Sequence, residues 1–155
     1  MKKHKALEHR EYFLHRSSCN FVVVSNTVSP EEITLELGIS PTRTLKKGEK
    51  GVGKRANSAI ISPHNIWEIW SGDIINEEFE AASHIEYLKE KLKNSLAAIS
   101  RYRENSEVEL IVSVWIESEL SGTGFSLTTE EMTFINAVSD RFDCYLFARE
   151  EIIVE

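Results

Sequence analysis

Along residues 108–117 apolar and mixed positions alternate one for one. Val108, Leu110, Val112, Val114 and Ile116 fall on one side of an extended chain, and Glu109, Ile111, Ser113, Trp115 and Glu117 on the other, because successive side chains of a strand point to opposite faces. The first set is wholly apolar and predicts the floor of a core. The second places Ile111 and Trp115 between carboxylates and predicts a face neither plainly wet nor plainly buried.

The remaining pattern predicts elements on either side of this strand. The β-branched run Phe21-Val22-Val23-Val24 reads as a strand, and Tyr12-Phe13-Leu14 as the start of another. Ser29, Pro30 and Glu32 sign a helix start as cap, first-turn proline and capping-box acid. Ile33 and Leu37 give that helix its buried face, and Gly38 ends it. Residues 43–55 read as a basic, glycine-rich loop. Residues 59–61 and 66–70 flank Ser62-Pro63-His64-Asn65 and predict a hairpin, with Pro63 alternatively bending a single edge strand.

Over residues 81–103, Ile85, Leu88, Leu92, Leu96, Ile99 and Tyr102 recur at three- and four-residue steps and predict one long helix, with Glu86/Lys89 and Glu90/Lys93 on its wet side. After a turn at Leu120–Gly124, Thr128 and Glu131 form a second capping box, with Met132, Ile135, Val138 and Phe142 as the stripe behind it. Cys144–Ala148 reads as the last firm strand, and residues 152–154 as a short edge strand or loosely packed end.

Ser29-Pro30-Glu31-Glu32-Ile33-Thr34-Leu35 and Thr128-Thr129-Glu130-Glu131-Met132-Thr133-Phe134 share one order of cap, two acids, apolar, Thr, apolar. This suggests a β-α-β unit used twice, although capping physics alone also produces such a match. The fold class that follows is α+β: a single domain over residues 12–155, preceded by a basic arm at 1–11. Its sheet is mainly antiparallel, with helices on one face in the ferredoxin-like manner.

Charge is unevenly placed. The net of −7 divides into +3 over residues 1–16, −3 over 17–41, +5 over 42–55 and −12 over 56–155. An acidic body with two basic patches disfavours nucleic acid, which wants a broad positive footprint. It fits a basic protein partner, or simply a solvated acidic surface. No apolar run approaches a membrane span and no apolar stretch follows Met1-Lys2-Lys3, so neither membrane nor secretion is expected. Two cysteines, Cys19 and Cys144, suit a reducing compartment, and the cytoplasm is the expected location.

Candidate chemistry is sparse. Gly48-Glu49-Lys50-Gly51-Val52-Gly53-Lys54 has most of a phosphate-binding loop, but Arg55 stands where a Ser or Thr would hold magnesium. The loop is also preceded by a helix and turn, and followed by strand-like residues. It survives as an anion-clamping loop using Lys46, Lys47, Lys50, Lys54 and Arg55, or as a solvated loop. His4, His9, His15, His64 and His84 have no metal-binding spacing, and no zinc site is expected. Neither Cys144 nor Ser126 has the surroundings of a nucleophile, Gly122-Thr123-Gly124 lacks the third glycine of a dinucleotide fingerprint, and no cofactor is implied.

The tryptophans are more informative. Trp67 and Ile69 share one side of their strand, and Trp70 shares the other with Glu68, while Trp115 is on the mixed side of 108–117. At least one indole therefore leaves the core side unless a bulge intervenes. It is then covered by the arm, by a second subunit or by a partner, and tryptophan anchors are what binding hot spots use.

Several landmarks together resemble a bacterial family, domain of unknown function 4279. They are the strand-then-helix run Phe21–Leu37, the turn Leu37-Gly38-Ile39-Ser40-Pro41-Thr42 reaching Lys47-Gly48, the strand ending at Trp70-Ser71, and Gly122-Thr123-Gly124-Phe125-Ser126-Leu127 before the last helix. The resemblance spans about residues 20–148 and implies a single α+β domain with no assigned activity and no catalytic residues. The reading that follows is a non-catalytic protein-binding domain, immunity-like or accessory, contacting its partner through Trp67, Trp70, Trp115, Glu117 and Glu119. Its rivals are a small-molecule or phosphate-binding domain (or enzyme) using loop 46–55, and a homodimer that hides its open sheet face on itself.

Overall fold

The computed structural model describes residues 14–52, 59–76, 80–118 and 125–148. The 1–11 arm, Tyr12-Phe13, the Gly122–Gly124 turn and residues 152–154 lie outside these.

Strand β1 (Leu14–Ser25) is one long strand that takes in Phe21–Val24 and starts at Leu14, with an irregularity between Leu14 and Arg16. Helix α1 (Pro30–Leu37) starts at the cap its sequence predicts, though with only the Ser29 half of the expected capping box and no return bond from the Glu32 side chain. The Ser29 side chain accepts from the Glu32 amide, and Gly38 closes the helix at φ 67°, a left-handed conformation that glycine adopts without strain. Next come β2 (Arg43–Leu45), β3 (Lys50–Val52), β4 (Ala59–Ile61), β5 (Asn65–Trp70) and a 3-10 turn, Ser71–Asp73. Then follow α2 (Ala81–Leu92), α3 (Leu96–Arg103), β6 (Val108–Ser118), α4 (Thr129–Val138) and β7 (Arg141–Ala148).

Five strands form one sheet in the order β2-β5-β1-β6-β7. β1 is antiparallel to both β5 and β6, β2 is antiparallel to β5, and β7 is parallel to β6. The fold is thus a single α+β domain with a mostly antiparallel mixed sheet. The segment β1-α1-β2-β5-α2/α3-β6 has the interlocked split β-α-β connectivity of ferredoxin-like folds. The unit capped by Thr128 is not the second half of that core. It adds β7 as a fifth strand, set in place by Asp140, whose amide and carboxylate bond the carbonyl and amide of Leu110.

Four expectations are corrected. Residues 59–61 and 66–70 do not form a hairpin: β4 pairs with β3 in a separate two-stranded sheet, while β5 lies between β2 and β1. Segment 43–55 is not all loop, since it contains β2 and β3. The 81–103 helix is two helices. The break comes at Ser95, whose hydroxyl donates to the Leu37 carbonyl at 2.7 Å and whose backbone departs from helical geometry. In the stripe of α4, Ile135 and Val138 are buried but Met132 is half-exposed, and Phe142 belongs to β7, which begins at Arg141.

The core is the helix-covered side of the sheet. Cys19, Phe21 and Val23 of β1, Trp67 and Ile69 of β5, and Val108 to Ile116 at alternate positions of β6 meet Ile33, Ile85, Leu88, Leu92, Ile99 and Ile135 from the helices. The alternation in β6 behaves as its sequence predicts: every member of the apolar set is buried.

Candidate interaction face

Among the described residues no helix lies on the opposite side of the sheet, and the residues of that side follow from register. Trp115 of β6 is opposite Ser18 of β1 and Tyr145 of β7, and Ser113 is opposite Asn20 and Asp143. Period two places Phe147 on the same side as Tyr145. The Trp115 ring stacks on Tyr145 (centroids 4.4 Å apart, 25° between planes) and on Phe147 (5.6 Å, 9°). All three rings remain partly open to solvent, with Trp115 37% exposed. Ring pairs of this kind contribute about 0.5–1.5 kcal/mol beyond area burial, so the cluster is held in place while still presenting apolar surface.

A hollow of about 230 Å³ adjoins the rings, bounded by Arg16, Ser18, Trp115, Glu117 and Phe147 among others. A second, of about 290 Å³, lies between Leu127, Met132 and Phe142. Both fall below the roughly 300–1,000 Å³ usual for small-ligand pockets, and both are open, which suits contact with a surface better than enclosure of a molecule.

Charges on this face are largely paired. Arg141 bonds Glu109 at 2.7 Å and Asp143 at 3.1 Å. Glu68, nearly buried, accepts from Asn20 Nδ2 at 2.6 Å and from Arg43 Nε at 2.8 Å, tying β5 to both neighbours. Burial lowers the Arg141 pKa, but hydrogen bonding to Asp143 and the charges of Glu109 and Asp143 outweigh it and raise the value overall.

The residues singled out from sequence separate. Trp67 is fully buried under the helices, its indole N–H donating to Thr34 Oγ1 at 3.0 Å and its ring edge-on to Phe21, so it is a core anchor. Trp70 lies on the open side and is half-buried, its ring lying so close to Gly72 that a Cβ there would collide with it. Trp115 and Glu117 are on the open face; Glu119 lies outside the described residues. In the basic loop, Lys46 pairs with Glu31 at 2.6 Å, which lowers the Glu31 pKa and raises that of Lys46, mainly through their hydrogen bond. The Lys47 amide donates to Asn65, Lys50 is in β3, and Lys54 and Arg55 lie outside the described residues. Strand β4 is the next described element after this loop, so the loop does not lead into a helix N-terminus as a phosphate-binding loop does.

One polar cluster escapes sequence reading. Ser71 Oγ accepts from the Cys19 amide at 2.9 Å and lies 2.7 Å from His84 Nδ1, joining β1, the 3-10 turn and α2. All three residues are fully buried, and burial pushes the Cys19 thiol up to about 12. A neutral thiol out of reach of solvent is inert, so the cluster is a clasp within the core. His64 meets Asn26 at 2.5 Å rather than a carboxylate. Among the described residues no group of three or more His, Cys, Asp or Glu is placed to hold a metal, and no helix is long and apolar enough to cross a membrane.

Residues 14–146, from the start of β1 almost to the end of β7, match the family model described as "Domain of unknown function (DUF4279)". The chain belongs to that family. The match takes in both faces of the sheet, including Trp115 and Tyr145, so the open face is part of the DUF4279 domain itself. Neither the search of curated proteins nor that of solved structures returns a significant match.

Proposed function

We propose that this DUF4279 domain is a non-catalytic protein-binding module that holds its partner on the helix-free face of the sheet, around Trp115, Tyr145 and Phe147. The observation that supports this most is the stacked, partly open ring set on a face that no helix covers among the described residues. Aromatic anchors fixed in place before contact lose little side-chain freedom on binding. Contact here is led by the rings, since the charges around them pair with one another. The basic character expected of the partner rests on the acidic balance of residues 56–155 alone. Two free cysteines support a reducing, cytoplasmic setting.

The test is capture from native lysate by wild type and by Trp115→Ala, each checked for an unchanged circular dichroism spectrum. A protein retained by wild type and lost with the variant supports the reading. Identical capture by both overturns it.

A further inference from the structure

Helix α4 and strand β7 are held less firmly than the rest of the domain. β1, β5 and β6 each bury a row of apolar side chains under the helices: Cys19, Phe21 and Val23, then Trp67 and Ile69, then Val108 to Ile116 at alternate positions. In β7 no side chain from Arg141 to Phe147 is buried, and α4 buries only Ile135 and Val138. Phe134 and Phe142 pack against the core but stay partly open. Few buried apolar contacts mark the regions of a protein that open at low cost.

One side chain fastens both elements. Asp140 stands in the two-residue link between them, Ser139-Asp140. Its amide donates to the Leu110 carbonyl at 2.8 Å, and its Oδ2 accepts from the Leu110 amide at 2.9 Å. Its other oxygen lies 3.5 Å from Nε of Arg103, at the end of α3. Arg103 Nη1 in turn donates to the carbonyls of Asn136 and Ala137 at 2.7 and 3.3 Å. Those carbonyls are in the last turn of α4, where the helix itself supplies no donor. Among the described residues two other ion pairs join this unit to the domain, Lys89–Glu130 and Arg141–Glu109. Both are more exposed than Arg103–Asp140, and exposed pairs contribute little.

We propose that α4 and β7 detach from β6 and reattach as one unit while the rest of the domain stays folded, and that Asp140 is the latch that sets how much of the protein is closed. The ring set then has two states, because Trp115 belongs to β6 while Tyr145 and Phe147 belong to β7. Closed, the three rings are stacked; open, Trp115 loses both neighbours. A partner seated on all three rings selects the closed state. That consequence rests on the protein-binding reading, and the opening itself does not.

The experiment is amide hydrogen exchange of the full chain followed by NMR, with closing faster than exchange so that each amide reports an opening equilibrium. In wild type the slowest amides of α4 and β7 are expected to share one opening equilibrium, about tenfold or more above that of β1 and β5. Ile69→Val weakens the closed and open forms alike against the unfolded chain. It should speed β1 and β5 by about 2- to 10-fold and leave α4 and β7 unchanged. Asp140→Ala should speed α4 and β7 together by about 10- to 100-fold, the factor that a hydrogen bond to a charged group corresponds to. Asp140→Asn, which keeps an oxygen for the Leu110 amide, should speed them less, and Glu130→Gln hardly at all. Exchange of α4 and β7 that matches β1 and β5 and follows them in Ile69→Val would overturn the inference. So would separate opening equilibria for α4 and β7. An effect of Asp140→Ala on these amides that is absent, or no larger than that of Glu130→Gln, would overturn the latch.

Discussion

Trp67 and Trp115 are the same side chain placed on the two faces of one sheet, and they do different things. Trp67 is sealed, edge-on to Phe21 and hydrogen-bonded to Thr34 of α1, so its area and its N–H are both used within the chain. Trp115 stacks flat on Tyr145 and Phe147 and keeps more than a third of its surface open. The difference comes from parity: β5 turns Trp67 toward the helices, and β6 turns Trp115 away from them. One face holds the domain together, and the other keeps a stacked ring set partly open.

The comparison is most exposed to test through the core tryptophan. Trp67→Ala removes a fully buried ring and the donor to the Thr34 hydroxyl, so a loss of about 3–5 kcal/mol in denaturant unfolding is expected. Ser71→Ala comes next. Leaving the Cys19 amide and His84 Nδ1 without their shared partner should cost about 1–3 kcal/mol by the same measurement. A change near zero would mean that the clasp contributes nothing to the covered face.

The two cysteines sharpen the contrast through pH. Cys19 has its pKa raised by burial from 9.0 to about 12, so above pH 9 the unfolded chain releases a proton that the folded chain retains. Stability should therefore be unaffected by this group below about pH 9 and fall above it, by at most about 1.4 kcal/mol per pH unit. Cys19→Ala should flatten that alkaline limb. A thiol reagent at pH 8 should label exposed Cys144 in the native protein and reach Cys19 only on unfolding. The smallest effect belongs to Trp115→Ala, about 1 kcal/mol from the lost ring pairs. If it matched the cost of Trp67→Ala, Trp115 would be a core residue and the open face would lose its anchor.

Much of this was legible from residue order. β6 alternates over ten residues, long enough for period two to be unmistakable, and the helix caps are local chemistry that forms at the residues expected, as a full capping box at Thr128 and through the Ser29 side chain alone at α1. Parity within β5 separated Trp67 from Trp70 correctly. What could not be read was anything decided at long range. β4 and β5 are adjacent in sequence but join different sheets, because β5 inserts between β2 and β1. The helix break at Ser95 depends on the Leu37 carbonyl, while the apolar spacing of Leu88, Leu92, Leu96 and Ile99 runs through it undisturbed. Trp115 was identifiable as an unplaced ring, but Tyr145 and Phe147 were not identifiable as its neighbours without the parallel register of β7 on β6. The Cys19, Ser71 and His84 clasp joins residues 52 and 13 positions apart and has no local signature.

The sidedness of the three indoles can be measured in solution by acrylamide quenching of fluorescence in three variants, each retaining one tryptophan with the other two replaced by phenylalanine. The account predicts strong quenching of Trp115, weaker quenching of Trp70 and almost none of Trp67. Protection of Trp115 equal to that of Trp67 would contradict it, because the proposed recognition face would then not be open.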